Sequence, residues 1–150
     1  MAALFAFLHH IAAFTLFAAI VVEFVLLRGT LTVESARKIL RADMILGISA
    51  GVLLIVGLAR VFHFEKGAYY YFHTWTFIAK LSLFIIVGVL SAIPTREFLR
   101  WRPALKSGVV PTLSPERLRT IRSILHYELM GLVLIILFAA LMAKGIGLML

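Results

Sequence analysis

The sequence predicts an all-α integral membrane protein, a four-helix bundle with short cytoplasmic amphipathic helices in its loops. Three observations carry that prediction. The chain is 63% hydrophobic and only 15% charged over 150 residues, with a mean hydropathy of +1.06, whereas a soluble domain holds about a quarter charged residues. Its apolar residues gather into four runs, each long enough to cross roughly 30 Å of hydrocarbon as a helix. Its cations sit in alternate loops. Arg28, Arg37, Lys38, Arg41, Arg96, Arg100, Arg102, Lys106, Arg117, Arg119 and Arg122 follow the first and third runs, against Arg60, Lys66 and Lys144 on the other side. That asymmetry places the basic loops in the cytoplasm and both termini in the periplasm of a bacterial inner membrane. One four-span domain occupies residues 1–150, with spans at about 3–27, 43–62, 72–94 and 123–143.

The same features exclude other classes. The net charge of +8 is a topology signal and does not point to nucleic acid, because it lies in loops on one side of the membrane. The absence of cysteine removes disulfides, thiolate nucleophiles and thiolate metal sites. The apolar N-terminal run lacks a basic leader and is long enough to span, so it reads as a retained span and not as a cleaved signal. No nucleophile–base pair, phosphate loop or zinc signature supports hydrolytic chemistry.

Span one closes at Arg28, with His9 and His10 near the outer boundary and Glu23 a little more than one turn inside the inner one. His9 and Glu23 share a face, since fourteen positions are close to four turns of about 3.6 residues. The loop TLTVESARKILRAD reads as a surface helix whose Arg37, Lys38 and Arg41 meet anionic headgroups. In span two, Asp43 heads a stripe with Gly47 and Gly51, a GxxxG spacing that lets another helix approach closely. Arg60, His63, Glu65 and Lys66 stand at its outer end, and Gly67 begins a turn into the aromatic belt Tyr69, Tyr70, Tyr71, Phe72 and Trp75. Span three carries Lys80 on one face with His73 and Ser91, and Pro94 ends or kinks the helix before the basic segment. Ser114 and Pro115 read as an N-cap and first helical residue. The short surface helix they start leads into span four, which holds His126 and Glu128 and ends at Lys144 and Gly145.

The antiparallel spans gather the intramembrane polar residues into two groups. His9, His10, His63 and His73 lie near the outer face, with Lys80 about two turns deeper than His73. Glu23, Asp43, His126 and Glu128 lie near the inner face, with Arg28, Arg41 and Arg122 around them. An ammonium in hydrocarbon costs roughly 3 kcal/mol, so Lys80 calls for an internal partner or a function. Imidazole is an axial ligand of haem iron, and helix bundles build cofactor sites from facing side chains. His10 or His9 with His63 therefore forms a candidate haem b site, with Lys80 on a propionate and His73 near by. The inner group suits a cation or proton, or else its carboxylates neutralise the neighbouring arginines.

The motifs Arg60, Glu65-Lys66-Gly67, Tyr70-Tyr71, Lys80, Leu90-Ser91, Pro94-Thr95 and Phe98-Leu99-Arg100-Trp101-Arg102, with His10, Glu23, Asp43 and Gly47, resemble a bacterial four-span membrane family, DUF2214. That family implies the fold but no activity. His10, Trp75 with Lys80-Leu81, and Glu128 also resemble the HemJ-type protoporphyrinogen oxidases, small four-span proteins implicated in haem b binding. The chain departs from their pattern, with Ile78 where they have a histidine and Tyr127-Glu128 where they have Asn-Glu.

The expected function is therefore a haem- or porphyrin-binding inner-membrane protein with redox activity, a membrane oxidoreductase if it is an enzyme. The alternative is a cation or proton pathway through Lys80, Glu23, Asp43 and Glu128. A third reading is an accessory or assembly subunit that uses the Gly47/Gly51 stripe. The expected partners are the lipid bilayer, a porphyrin or quinone, and a second copy of the chain.

Overall fold

In the computed structural model, residues 1–64 and 66–149 are described; Glu65 and Leu150 lie outside the described residues. The elements are α1 (Ala2–Arg28), α2 (Val33–Ala59), α3 (Ala68–Phe72), α4 (Trp75–Arg100), α5 (Arg102–Lys106) and α6 (Pro115–Ala143), with a single π turn, Arg60–Phe64, extending α2. Four helices are long and apolar enough to cross a membrane. The protein is an all-α membrane bundle.

Local chemistry sets the helix starts. Thr32 and Ser35 cap α2 reciprocally, each side chain taking the other's backbone N–H, which satisfies two donors that a helix start leaves open. The Ser114 hydroxyl accepts from the Arg117 N–H, with Pro115 in the first turn of α6, the arrangement expected from the sequence.

The boundaries differ from expectation in four places. Residues 33–42 form no separate surface helix but are the first turns of α2. Ala36, Ile39, Ala42, Asp43 and Leu46 are all buried, so one continuous stripe packs inward and no break follows Asp43. Residues 115–123 are likewise continuous with the fourth span. Neither expected loop helix stands apart, and the short α5 between the third and fourth spans was not among them. Pro94 neither ends nor visibly divides α4, which continues to Arg100. Buried Glu97, Phe98 and Trp101 beyond it supply packing that holds the helix past the missing N–H. The third span begins at Trp75, after a break at His73 and Thr74. His73 therefore does not share a helical face with Lys80.

The helices pair as two hairpins, α1 against α2 and α4 against α6, and α1 packs on α6 to join them. Helices α2 and α4 touch only sparsely, which leaves a cleft between them. The main core lies toward the basic end and includes Ile20, Leu27, Ile39, Phe98, Ile121 and Leu125. A smaller cluster, Val61, Tyr71 and Phe77, closes the other end. Phe14, Ile55 and Val89 are each about 70% exposed, which is the surface a bilayer covers.

Polar ties fasten the ends. Arg122 donates through Nε to the Leu27 carbonyl at 2.9 Å, and Arg37 to the Leu105 carbonyl at 3.0 Å. At the far end the tail folds back: the Trp75 N–H donates to Gly147 O at 2.9 Å, and the Met149 N–H to His73 O at 2.8 Å. Gly147 has φ +108, and a Cβ on it would stand 2.8 Å from Thr76 Cγ2; only glycine fits there.

The GxxxG stripe does not act within the chain. A Cβ on Gly47 or Gly51 would meet nothing within 4 Å. Helices approach closely instead at Gly131, whose Cβ would lie 2.6 Å from Val87 Cγ2, and at Gly57, where it would lie 3.2 Å from His9 Cε1. Spacing alone identifies small residues but not the helix face that meets a neighbour.

Candidate functional site: a buried carboxyl cluster

Three helices contribute one carboxyl each. Glu23 lies on the inward stripe of α1 between Ile20 and Leu27, and Glu128 on that of α6 between Leu125 and Leu132. Both are fully buried, and Asp43 of α2 is 7% exposed. The three carboxyls lie within electrostatic reach of one another. Asp43 Oδ1 accepts a 2.6 Å hydrogen bond from Thr95 Oγ1, which brings α4 into the cluster, and Arg102 is the cation whose field reaches Asp43. Both carboxyl oxygens of Glu23 are buried without a hydrogen-bond partner among the described residues, and the buried carboxyl of Glu128 has only the Ser91 hydroxyl beside it.

Such groups normally find partners, because an unsatisfied buried polar group costs about 1–3 kcal/mol. The neighbouring arginines do not supply them. Arg28 sits 5.0 Å over the Phe24 ring, Arg122 caps the end of α1, and Arg41 is exposed. Among the described residues no three acidic or imidazole side chains are grouped to hold one metal ion. His126 stands apart from the carboxyls although only two positions from Glu128. Two residues turn a helix by about 200°, so Glu128 faces the core while His126 is exposed, its ring 6.3 Å from that of Phe24.

The cleft between α2 and α4 lies against this cluster. Its volume is about 200 Å³, and Gly47, Ala50, Gly88, Ser91 and Thr95 form its small-residue walls. Thr95 is the partner of Asp43, and the Ser91 hydroxyl lies beside Glu128, so the polar groups in the wall belong to the carboxyl site.

At the other end, the structure brings His9, Arg60 and Lys80 within electrostatic reach of one another. The His9 Nδ1 is buried without a hydrogen-bond partner among the described residues, its ring rests on Gly57, and Lys80 Nζ stands 5.5 Å from the Phe77 ring centre. His10 also lies within electrostatic reach of His9, with ring centres 6.3 Å apart, but its side chain is exposed, as are those of His63 and His73. His10 Nδ1 is 2.6 Å from the Ala6 carbonyl of its own helix, His63 neighbours Phe64, and His73 stacks on Tyr69 with ring centres 4.0 Å apart.

Two residues in the polar framework went unnoticed in the sequence. Thr95 belongs to the Pro94-Thr95 motif, and a hydroxyl one turn from the end of an apolar run invites a buried acceptor. Glu97 is 8% exposed and takes Arg117 Nε at 3.1 Å and Arg100 Nη1 at 3.7 Å. A lone carboxylate among Arg96, Arg100 and Arg102 was the available signal.

Fold and site together define a four-helix membrane bundle with an acidic cluster inside it. The chain belongs to the DUF2214 family, described as a predicted membrane protein, whose model matches residues 1–147. No curated protein and no solved structure matches it.

Proposed function

We propose that this protein binds and conducts protons through the bundle, with Glu23, Asp43 and Glu128 as the binding groups. The observation that carries this reading is the pair of buried carboxyls beside Asp43, Glu23 with no hydrogen-bond partner among the described residues and Glu128 with only the Ser91 hydroxyl. Intramembrane acids that line a pathway are a recurrent feature of proton relays. A proton needs only one oxygen at a time, whereas a metal needs several converging ones. Ser91 and Thr95 provide hydroxyls that accept and donate beside the carboxyls. The His9, Arg60 and Lys80 group lies on the far side, some 20 Å along α1 from Glu23, and forms the opposite mouth. The basic loops face the cytoplasm and both termini the periplasm of a bacterial inner membrane. Reporter fusions at Lys106 are then cytoplasmic and fusions after Met149 periplasmic; the reverse result overturns this orientation.

Vesicles containing the purified protein and an internal pH dye test the reading. An imposed pH step should relax faster than in empty vesicles, and Glu23→Gln or Glu128→Gln should slow that relaxation at least about tenfold, the scale of removing a positioned proton-transfer group. Wild-type protein that relaxes no faster than empty vesicles refutes it.

A second reading rests on the buried, unpartnered Nδ1 of His9. That nitrogen suits an axial ligand of haem b, and Lys80 near it suits a porphyrin carboxylate; a quinone carbonyl would suit the same pair. The absorption spectrum of purified protein decides it. A Soret band that His9→Ala removes and His126→Ala leaves intact supports cofactor binding and redox activity, and colourless protein rejects it.

A further inference from the structure

A pocket of about 560 Å³ opens between α1 and α6 at the basic end, lined by Phe24, Arg28, Arg119, Arg122, His126 and Tyr127 among others. We propose that it holds the phosphodiester headgroup of an anionic phospholipid. Three guanidinium groups border it and no carboxylate does. The ion pairs found among the described residues, Lys38 with Glu34 and Glu97 with Arg100 and Arg117, involve none of the three. Two of the three are held in place by neutral groups. Arg122 spends Nε and Nη2 on the Leu27 carbonyl and keeps Nη1 free of that contact. Arg28 lies over the Phe24 ring at 5.0 Å. Arg119, Arg122 and His126 follow at i, i+3 and i+7, one face of α6.

Guanidinium groups presented in this way match the oxygens of a phosphate. The surroundings favour a lipid over a soluble phosphate. Tyr127, Met130 and Leu134 continue down the same side of α6 and are 63%, 54% and 42% exposed, and Val25 of α1 is 58% exposed. A headgroup in the pocket thus leaves its acyl chains along an apolar, uncovered surface. Basic pockets between spans at the cytoplasmic side are recognised headgroup sites. The inference is independent of the carboxyl cluster, which lies on the opposite face of α6.

The full-length protein in a neutral detergent tests it, with native mass spectrometry reading bound lipid after addition of phosphatidylglycerol or phosphatidylcholine. One phosphatidylglycerol should be retained per chain in preference to phosphatidylcholine. Arg28→Gln with Arg119→Gln should weaken retention about tenfold or more, while Arg122 is left to hold the end of α1. Removal of the same charge outside the pocket, Arg96→Gln with Lys106→Gln, should leave retention unchanged. Equal loss in both pairs overturns the site and shows only a general attraction of basic loops for anionic lipid. Displacement of the bound lipid by millimolar inorganic phosphate overturns the lipid assignment in favour of a soluble anion. Unchanged thermal unfolding of the pocket pair without lipid checks that it folds, and if it unfolds early Arg119→Gln alone carries the comparison.

Discussion

Buried carboxylates occur in two settings in this bundle. At the basic end, Glu97 of α4 is clasped by Arg100 of its own helix and by Arg117 at the start of α6. One layer deeper, Glu23 has no described partner on either oxygen, Glu128 has only the Ser91 hydroxyl, and Asp43 has only Thr95 and a more distant arginine. The chain has arginines within a turn or two of the deeper acids and directs them elsewhere, to a backbone carbonyl, an aromatic ring or the surface. A buried acid that serves the fold is supplied with cations. The deeper acids are left without them, and the proposed proton site rests on that difference.

Five substitutions break or sharpen that contrast. The largest effect is expected at Glu97. Glu97→Ala strips two partly exposed arginines of their shared partner and should lower stability by about 2 kcal/mol, read as denaturant or thermal unfolding in detergent; a neutral result would make Glu97 no different from the deeper acids. Glu128→Leu should do the opposite, raising stability by about 1–2 kcal/mol because it removes unsatisfied oxygens from an apolar site, while proton flux is lost. A loss of stability there would mean that the carboxyl has a partner and would erase the contrast. Thr95→Val leaves Asp43 Oδ1 without its donor and should cost about 1 kcal/mol, with the α2–α4 side opening first in hydrogen exchange. The smallest effects concern the glycines. Gly131→Ala meets Val87 Cγ2 and should cost about 1 kcal/mol after the gain in helix propensity. Gly47→Ala meets nothing within 4 Å and should stay within about 0.5 kcal/mol of the parent unless a second copy packs on that stripe, in which case cross-linking yield falls with it.

Much of this was readable in the residues. Alternation of apolar runs with basic loops marks the four spans, because hydrocarbon admits only long apolar helices and the loop cations orient them. Ser114 and Pro115 mark the start of α6 through chemistry confined to one turn, whereas the Thr32 cap of α2 was not picked out. Glu23 and Asp43 stand out because acids are rare at such depth. The outer group was less readable. His9, Arg60 and Lys80 meet, whereas His10, next to His9 in the chain, is turned about 100° away on the same helix and bonds to its own carbonyl.

What the sequence alone determined is whatever depends on transfer from water to hydrocarbon and on local capping: the number of spans, their order, the charge asymmetry of the loops and the capped start of α6. Those terms are sums over neighbouring residues, so they need no knowledge of the partner helices. What only the tertiary structure decided is which faces meet. Helix α1 pairs with both α2 and α6 while α2 and α4 stay apart, and Gly57 and Gly131 take the close approaches that Gly47 and Gly51 were expected to take. The same pairing sets Glu128 inward and His126 outward, and it draws Asp43 onto Thr95 across the cleft. Such outcomes rest on side-chain packing between segments distant in the chain, where a rotation of one helix by a single residue, about 100°, exchanges a buried group for one facing lipid.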